Sequence, residues 1–223
     1  MSEIFDLFAN EAYRFGRCSV LVYDRKDAAT FTDDLLLQLY RATKSSRSLY
    51  RTFCGMADLS APAICAYLAS RSPLLLMCVD NDPADENGCP IGGFTVIGYA
   101  FPTIFVGPRK GTISPDPGRS MFAGYSVFKQ WYRSPELVVC MMLAMIYYFN
   151  KFGLVNIQAQ SYTWNRKSIE FMAQFGMRDI GIVPSLLFDG KQLLDSHQSC
   201  LDRDVFEDYV RRVLLDCAQA PQI

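Results

Sequence analysis

The sequence has little of the material from which metal sites and nucleophilic active sites are usually built. Its only histidine is His197, and its eight cysteines are scattered without a C-x-x-C pair. Zinc sites need cysteine and histidine at short spacings, and a Ser-His-Asp or Cys-His arrangement needs a histidine beside its nucleophile. We therefore predict no metal site, and we place His197, which lies in a polar segment, at the surface.

Strong charge and long hydrophobic runs are also missing. The formal net charge is −1, which offers no electrostatic footprint for nucleic acid or for an anionic membrane. The longest apolar run, residues 137–149, is too short to span a bilayer, for which about 20 residues are needed. The acidic start of the chain lacks the basic region of a signal peptide. We therefore expect a cytoplasmic protein with reduced thiols, and no nucleic-acid or membrane partner.

What the chain does have is ample hydrophobic material. Half of its 223 residues are hydrophobic, so a sizeable core can form without disulfides. We expect one domain over 1–223, with a core at about 18–200 and an extra C-terminal helix at 203–217. The methionine and tyrosine stripe within 137–149 is best explained as core packing.

Local patterns predict the order strand, two helices, three strands, helix, strand, helix, two strands, helix. Residues 74–80 and 94–106 have the apolar and β-branched composition of strands and are expected to pair as a hairpin. Residues 180–188 and 192–200 suggest a second hairpin, and 46–70 a helical region that Gly55 and Pro62 interrupt. The predicted fold is α/β (α+β): a mixed, mostly antiparallel twisted sheet with helices on both faces.

The most informative stretch is 122–183, where recognisable residues mark each junction between elements. Ser134-Pro135-Glu136 is a strong helix start, because serine accepts from first-turn amides, proline suits the first position and glutamate opposes the dipole. Gly153 can end this helix. Asn165 begins the next helix, and Gly176 ends it.

This order of elements and junctions resembles the cofactor half of the GNAT superfamily of N-acetyltransferases, in which acetyl-CoA is the co-substrate. The resemblance covers about 18–200 and is most specific in 122–183. It implies that the strand at 121–128 separates from the strand at 155–162, and that the gap holds the pantetheine arm and the acetyl group. It also implies that backbone amides near Val127 and Phe128 pair with pantetheine or polarise the thioester carbonyl.

The family's phosphate loop carries glutamine or arginine, two residues, glycine, one residue, then glycine or alanine. One register puts Gln130 first and Arg133 and Pro135 at the glycine positions; a shift by one residue puts Ser134 and Glu136 there. Neither register restores a glycine, proline removes an amide donor and glutamate repels phosphate. Arg133 is either a charged phosphate contact or a solvated loop arginine.

Three residues of the second helix and one of the preceding strand complete the predicted site. The resemblance implies that Asn165 contacts pantetheine, although the residue type also suits a simple N-cap, and that Ser168 follows on the same helix. Phe171 stands where the family often has a tyrosine that protonates the departing thiolate. Phenylalanine has no proton to give, so Tyr162 is the nearest candidate for this acid; its alternative role is that of an interface aromatic.

Two functions remain open from the sequence. The first is an acetyltransferase that moves acetyl from acetyl-CoA to an amine by direct attack, with a small molecule, a protein N-terminus or a lysine as acceptor. The second is a GNAT-fold protein without catalysis that serves as a binding or assembly module, for example in a phage or prophage particle, with its last helix available to dock on a partner. A homodimer is compatible with either.

Overall fold

The computed structural model describes residues 3–10, 13–23, 33–45, 58–70, 73–80, 89–91, 94–106, 120–128, 131–188 and 192–219. Six helices and nine strands lie in these ranges. In chain order they are α1 (Glu3–Asn10), β1 (Arg14–Phe15), β2 (Cys18–Tyr23), α2 (Asp33–Ser45), α3 (Ala61–Ser70), β3 (Leu74–Asp80), β4 (Cys89–Ile91), β5 (Phe94–Val106), β6 (Ser120–Val127), α4 (Pro135–Phe152), β7 (Asn156–Tyr162), α5 (Arg166–Ala173), β8 (Arg178–Phe188), β9 (Leu193–Asp202) and α6 (Arg203–Gln219).

The strands form one twisted sheet in the order β1-β2-β3-β5-β6-β7-β9-β8, with β4 paired to β5. Every described pair is antiparallel except β6 and β7. Both predicted hairpins, β3 with β5 and β8 with β9, are present. The predicted mixed, mostly antiparallel sheet is confirmed.

Strand β3 explains why helices cover both faces of the sheet. All its residues but the last are buried, and successive side chains point to opposite faces of a strand. Leu75 and Met77 pack into a cluster with α1, α4, α5 and α6, whereas Leu74 and Leu76 pack into a second cluster with α2 and α3. A continuous apolar run is therefore the natural sequence of this central strand.

Helix α4 contributes more buried residues to the larger cluster than any other described element. Local signals in the sequence set both ends of this helix. The hydroxyl of Ser134 accepts a hydrogen bond from the Leu137 amide at 3.1 Å, and Gly153 closes the helix with a left-handed φ of 57°. From Cys140 to Phe149 every residue is buried, so this helix is covered on all sides. Core packing of its methionine and tyrosine stripe is confirmed.

Three expectations about other helices need correction. Pro62 lies in the first turn of α3, where its missing amide hydrogen breaks no helical bond, so it does not interrupt this helix; Gly55 lies outside the described residues. The apolar pattern of residues 3–15 predicts one amphipathic helix, but α1 ends at Asn10 and the short strand β1 follows. Helix α6 buries Phe206 and Val210 in the main cluster, so the side that carries them is not available to dock on a partner, whereas Val205 and Leu215 are exposed.

None of the described helices combines the length and the apolar character that crossing a membrane would require.

Candidate active site

The sheet opens at its parallel strand pair. Strands β6 and β7 are paired only over Ser120–Asn156, Met121–Ile157 and Phe122–Gln158. Beyond these pairs β6 stays with β5 as far as Val127, and β7 stays with β9 as far as Tyr162. The two strands therefore separate, as the resemblance implied, and we call the opening between them the wedge.

The edge of β6 that faces the wedge carries backbone groups without a partner strand. The Phe128 amide donates to the carbonyl of Ile97 on β5 at 3.0 Å. Because amides alternate in direction along an antiparallel pair, those of Tyr125 and Val127 face away from β5 and into the wedge. This corrects the expectation for Phe128, whose amide is engaged and whose side chain is buried.

The wedge contains a cavity of about 420 Å³. Its walls come from β6, β7, α5, the first turn of α4 and the facing part of β9. Six of the eleven residues predicted for the site line it, namely Val127, Arg133, Tyr162, Asn165, Ser168 and Phe171, and residues not predicted for it include Tyr125, Tyr132, Ser161, Lys167 and His197.

Three hydroxyl groups from three elements meet in the wall of this cavity. The Tyr125 hydroxyl lies 2.5 Å from the Ser168 hydroxyl, and Ser161 donates to Ser168 at 3.1 Å. We call these three residues the hydroxyl cluster. Burial raises the pKa of Tyr125 to about 12, with the Ser168 hydrogen bond acting in the opposite direction. The cluster therefore stays uncharged at any physiological pH.

The aromatic residues of α5 and β7 shape the cavity next to the hydroxyl cluster. The ring of Phe171, one turn after Ser168 on α5, lies 6.4 Å from the ring of Tyr125. Tyr162 ends β7, is 3% exposed and stacks on Trp164, with ring centroids 5.1 Å apart and an angle of 9°. Tyr162 thus has the stacking of an interface aromatic and also borders the cavity.

The first turn of α4 offers few hydrogen-bond donors to an anion. The Ser134 amide donates to the Trp131 carbonyl at 3.2 Å, the Leu137 amide donates to the Ser134 hydroxyl, and Pro135 has no amide hydrogen. Neither Ser134, Pro135 nor Glu136 lines the cavity, and Gln130 lies outside the described residues. A phosphate would meet fewer free amides here than at an ordinary helix start.

Arg133 has the backbone conformation of a glycine. Its φ is 71°, in the left-handed region that side chains disfavour and glycine adopts readily. This is the position at which one register of the phosphate loop expects a glycine. The loop thus keeps the glycine-like turn. The Arg133 side chain supplies a cation at the mouth of the cavity, where the exposed Lys167 also lies.

Asn165 occupies the N-cap position of α5 without acting as a side-chain cap. Its carbonyl accepts from the amides of Ser168 and Ile169, but its side chain makes no capping hydrogen bond. Capping alone therefore does not explain an asparagine here, and its side chain borders the cavity.

His197 is the clearest miss of the sequence reasoning. Its side chain is 13% exposed, its Nε2 lies 3.2 Å from Asp179 Oδ1, and it borders the cavity opposite Ser161 on the neighbouring strand. His197 lies there because side chains alternate between the two faces along β9 and because β9 pairs with β7. The polar composition of the segment indicates neither of these facts. Within the described residues, no three His, Cys, Asp or Glu side chains converge as a metal site would require.

Comparisons with known proteins agree on the fold. No protein-family model matches the chain, and no curated protein sequence matches it significantly. Solved structures do match it. An acetyltransferase of the GNAT family from Bacillus anthracis is 12% identical with a TM-score of 0.59, covering 86% of this chain and 98% of that one. RimJ from Mycobacterium smegmatis, in complex with CoA-disulfide, is 15% identical with a TM-score of 0.60, covering 91% and 90%.

A third match is the spermidine/spermine N-acetyltransferase SpeG from Vibrio cholerae, in mutant forms, at 10% identity and a TM-score of 0.57, covering 86% and 98%. Together the sheet order, the wedge and these matches define a mixed α/β protein whose sheet opens at a parallel strand pair. The chain therefore has the GNAT fold, at 10–15% sequence identity to the matched structures.

Proposed function

We propose that the protein binds an acyl-CoA thioester, with acetyl-CoA as the first candidate, in the wedge and transfers its acyl group to an amine. The observation that carries this proposal is the separation of β6 from β7 after three paired residues, which leaves a cavity beside unpaired backbone amides. Unpaired backbone groups favour a ligand that can take the place of the missing strand.

The pantetheine arm of coenzyme A fits that requirement because it is an extended chain with two amide groups. The amides of Tyr125 and Val127 can donate to its carbonyls, and the Asn165 side chain can meet an amide from the opposite wall. The wedge would thus hold pantetheine much as a sheet holds an added strand.

The phosphates would lie at the mouth of the cavity, beside the first turn of α4. Since Ser134 and Pro135 leave few amides free there, the cations of Arg133 and Lys167 would carry most of the attraction. Glu136 follows in the same turn and would weaken it. Gln130 remains a proposed contact in the loop before this turn.

The chemistry would be direct attack of the neutral amine on the thioester carbonyl, without a covalent enzyme intermediate. The Val127 amide could polarise that carbonyl, since backbone donors in a buried cleft stabilise a developing oxyanion. Tyr162, which borders the cavity, remains the sequence-based candidate for the acid. The acceptor, a small-molecule amine or a protein N-terminus or lysine, would enter past α2, α3 and β5.

The alternative is a GNAT-fold binding module without catalysis. The engaged first turn of α4 and the phenylalanine at position 171 favour it. In that case a peptide strand of a partner, in an assembly such as a phage or prophage particle, would fill the wedge. We further propose that residues 1–223 form one domain and that the protein is cytoplasmic.

Ligand-induced stabilisation separates the two functions. Acetyl-CoA at about a hundredfold above its dissociation constant should stabilise the protein by roughly 2 to 3 kcal/mol, measured as a rise in melting temperature. Asn165→Ala and Arg133→Ala should weaken that rise, whereas Arg211→Ala, an exposed arginine on α6, should leave it unchanged. No rise with the wild-type protein would reject the enzyme and favour the binding module.

A further inference from the structure

The hydroxyl cluster has one hydrogen that the described residues do not use. Ser161 donates its hydrogen to Ser168, and the contact between Tyr125 and Ser168 uses one more. Three hydroxyls carry three hydrogens, so one remains, on either Tyr125 or Ser168. Both residues line the cavity, and the remaining hydrogen is therefore available to a ligand there.

Two features make this hydrogen a strong donor. Chains of hydrogen-bonded hydroxyls polarise one another, and the effect is larger in a buried site than in water. The three residues also come from a strand, a second strand and a helix of the rigid scaffold, so the donor is held in place before a ligand arrives.

The hydroxyl cluster lies close to position 171, where the resemblance expects a tyrosine and this chain has phenylalanine. Ser168 lies one helical turn before Phe171 on α5, and three residues apart on a helix means the same face. The Tyr125 ring is 6.4 Å from the Phe171 ring. The cluster therefore borders the space that a tyrosine hydroxyl at position 171 would reach.

We infer, resting on the proposed function, that the hydroxyl cluster of Tyr125, Ser168 and Ser161 donates a hydrogen bond to the coenzyme A sulfur and stabilises it as a thiolate. In the reaction the C–N bond forms, the C–S bond breaks and the sulfur leaves with its electron pair while holding this hydrogen bond. The amine proton passes to solvent, and the thiolate takes its proton from water afterwards.

Donating a hydrogen bond to the sulfur suits the cluster better than transferring a proton to it. An ordinary thiol has a pKa of about 8.5, well below the pKa of about 12 to which burial raises Tyr125. A proton moved from this tyrosine to a thiolate would go uphill, whereas a hydrogen bond from it needs no transfer. The cluster thus takes the place of Tyr162, the sequence-based candidate for the acid, with a donor that stays neutral.

Binding of coenzyme A and of desulfo-coenzyme A, which lacks the thiol, tests this without knowledge of the acceptor. If the cluster stabilises the thiolate, coenzyme A should bind roughly tenfold more tightly at pH 9.5 than at pH 7 in a reducing buffer, because a charge-assisted hydrogen bond lowers the thiol pKa by about one unit. Desulfo-coenzyme A should show no such rise. Calorimetric titration measures both dissociation constants.

Variants assign the effect to the cluster. Tyr125→Phe and Ser168→Ala should lose the rise for coenzyme A, so that in each variant coenzyme A and desulfo-coenzyme A show the same pH dependence. Tyr209→Phe removes a hydroxyl outside the cavity and should keep the rise. Equal pH dependence of the two ligands in the wild type, or a rise that survives both cluster variants, would overturn the inference. If neither ligand binds at all, the proposed function fails, and the inference with it.

Discussion

At the scale of single residues, Arg133 shows how this chain keeps a glycine-like turn without a glycine. A side chain in the left-handed region carries a conformational cost of roughly 1–2 kcal/mol, and the φ of 71° places Arg133 there. Its guanidinium is exposed at the mouth of the cavity. A strained arginine at this place is consistent with a functional role for its charge.

Replacing this residue should separate its backbone strain from its charge. Arg133→Gly should raise the free energy of unfolding by about 0.5–1 kcal/mol, because glycine adopts this φ without steric cost, and should weaken acetyl-CoA binding. Arg133→Ala keeps the strain and should weaken binding without stabilising the fold. Urea unfolding and calorimetry measure the two effects. A glycine variant less stable than the wild type would contradict the strain.

At the scale of elements, the two helix starts beside the cavity use their polar residues differently. Ser134 caps α4 through a hydrogen bond from the Leu137 amide. Asn165 stands at the same position of α5 but makes no side-chain capping bond. The first side chain therefore serves the helix, and the second is free of that task and borders the cavity.

Alanine at each position should reveal the difference. Ser134→Ala should lower the free energy of unfolding by about 1 kcal/mol, as the loss of an N-cap does, with little effect on acetyl-CoA binding. Asn165→Ala should lower it by less than about 0.5 kcal/mol, because no capping bond is lost, and should weaken binding clearly. A larger loss of stability for Asn165→Ala than for Ser134→Ala would show that this assignment is wrong.

At the scale of the whole molecule, the protein buries tyrosine hydroxyls that must keep their protons. Burial raises the pKa of Tyr99 and of Tyr148, and raises that of Tyr125 to about 12. Unfolded tyrosines titrate near 10. The folded state therefore binds more protons than the unfolded state above this pH, and stability must fall as the pH rises.

We expect alkaline unfolding that begins above pH 10. The folded state keeps its full stability below about pH 10. It loses stability as the pH rises towards 12, where Tyr125 would also ionise. Tyrosinate absorbance and circular dichroism should change together. Titration of all twelve tyrosines near pH 10 with the fold intact would contradict this.

A single substitution supplies the control for the alkaline transition. The Tyr148 hydroxyl is buried without a hydrogen-bond partner among the described residues. Tyr148→Phe removes this unsatisfied group, so it should raise the free energy of unfolding by about 1 kcal/mol and move the transition to higher pH. Unchanged stability and an unchanged transition would show that this hydroxyl is hydrated.

The sequence by itself determined the order of the longer helices and strands, because the signals for them are local, but not the short strands β1 and β4. Ser134 and Gly153 bound α4 as expected, and the apolar run of β3 predicted a strand covered on both faces. The candidate site was predictable only in part. Six of its residues follow from one matched segment, whereas Tyr125, Ser161 and His197 carry no local mark of their role.

Only the tertiary structure decided where the sheet opens and which hydroxyls meet there. Strand β6 stays hydrogen-bonded to β5, and strand β7 stays hydrogen-bonded to β9. Strands β6 and β7 therefore separate because each is held by a different neighbour, whose paired residues lie far away in the sequence. Ser168 meets Tyr125 across 43 residues of chain. Such contacts depend on how all the strands pair at once, and no pattern within a short window of sequence encodes that.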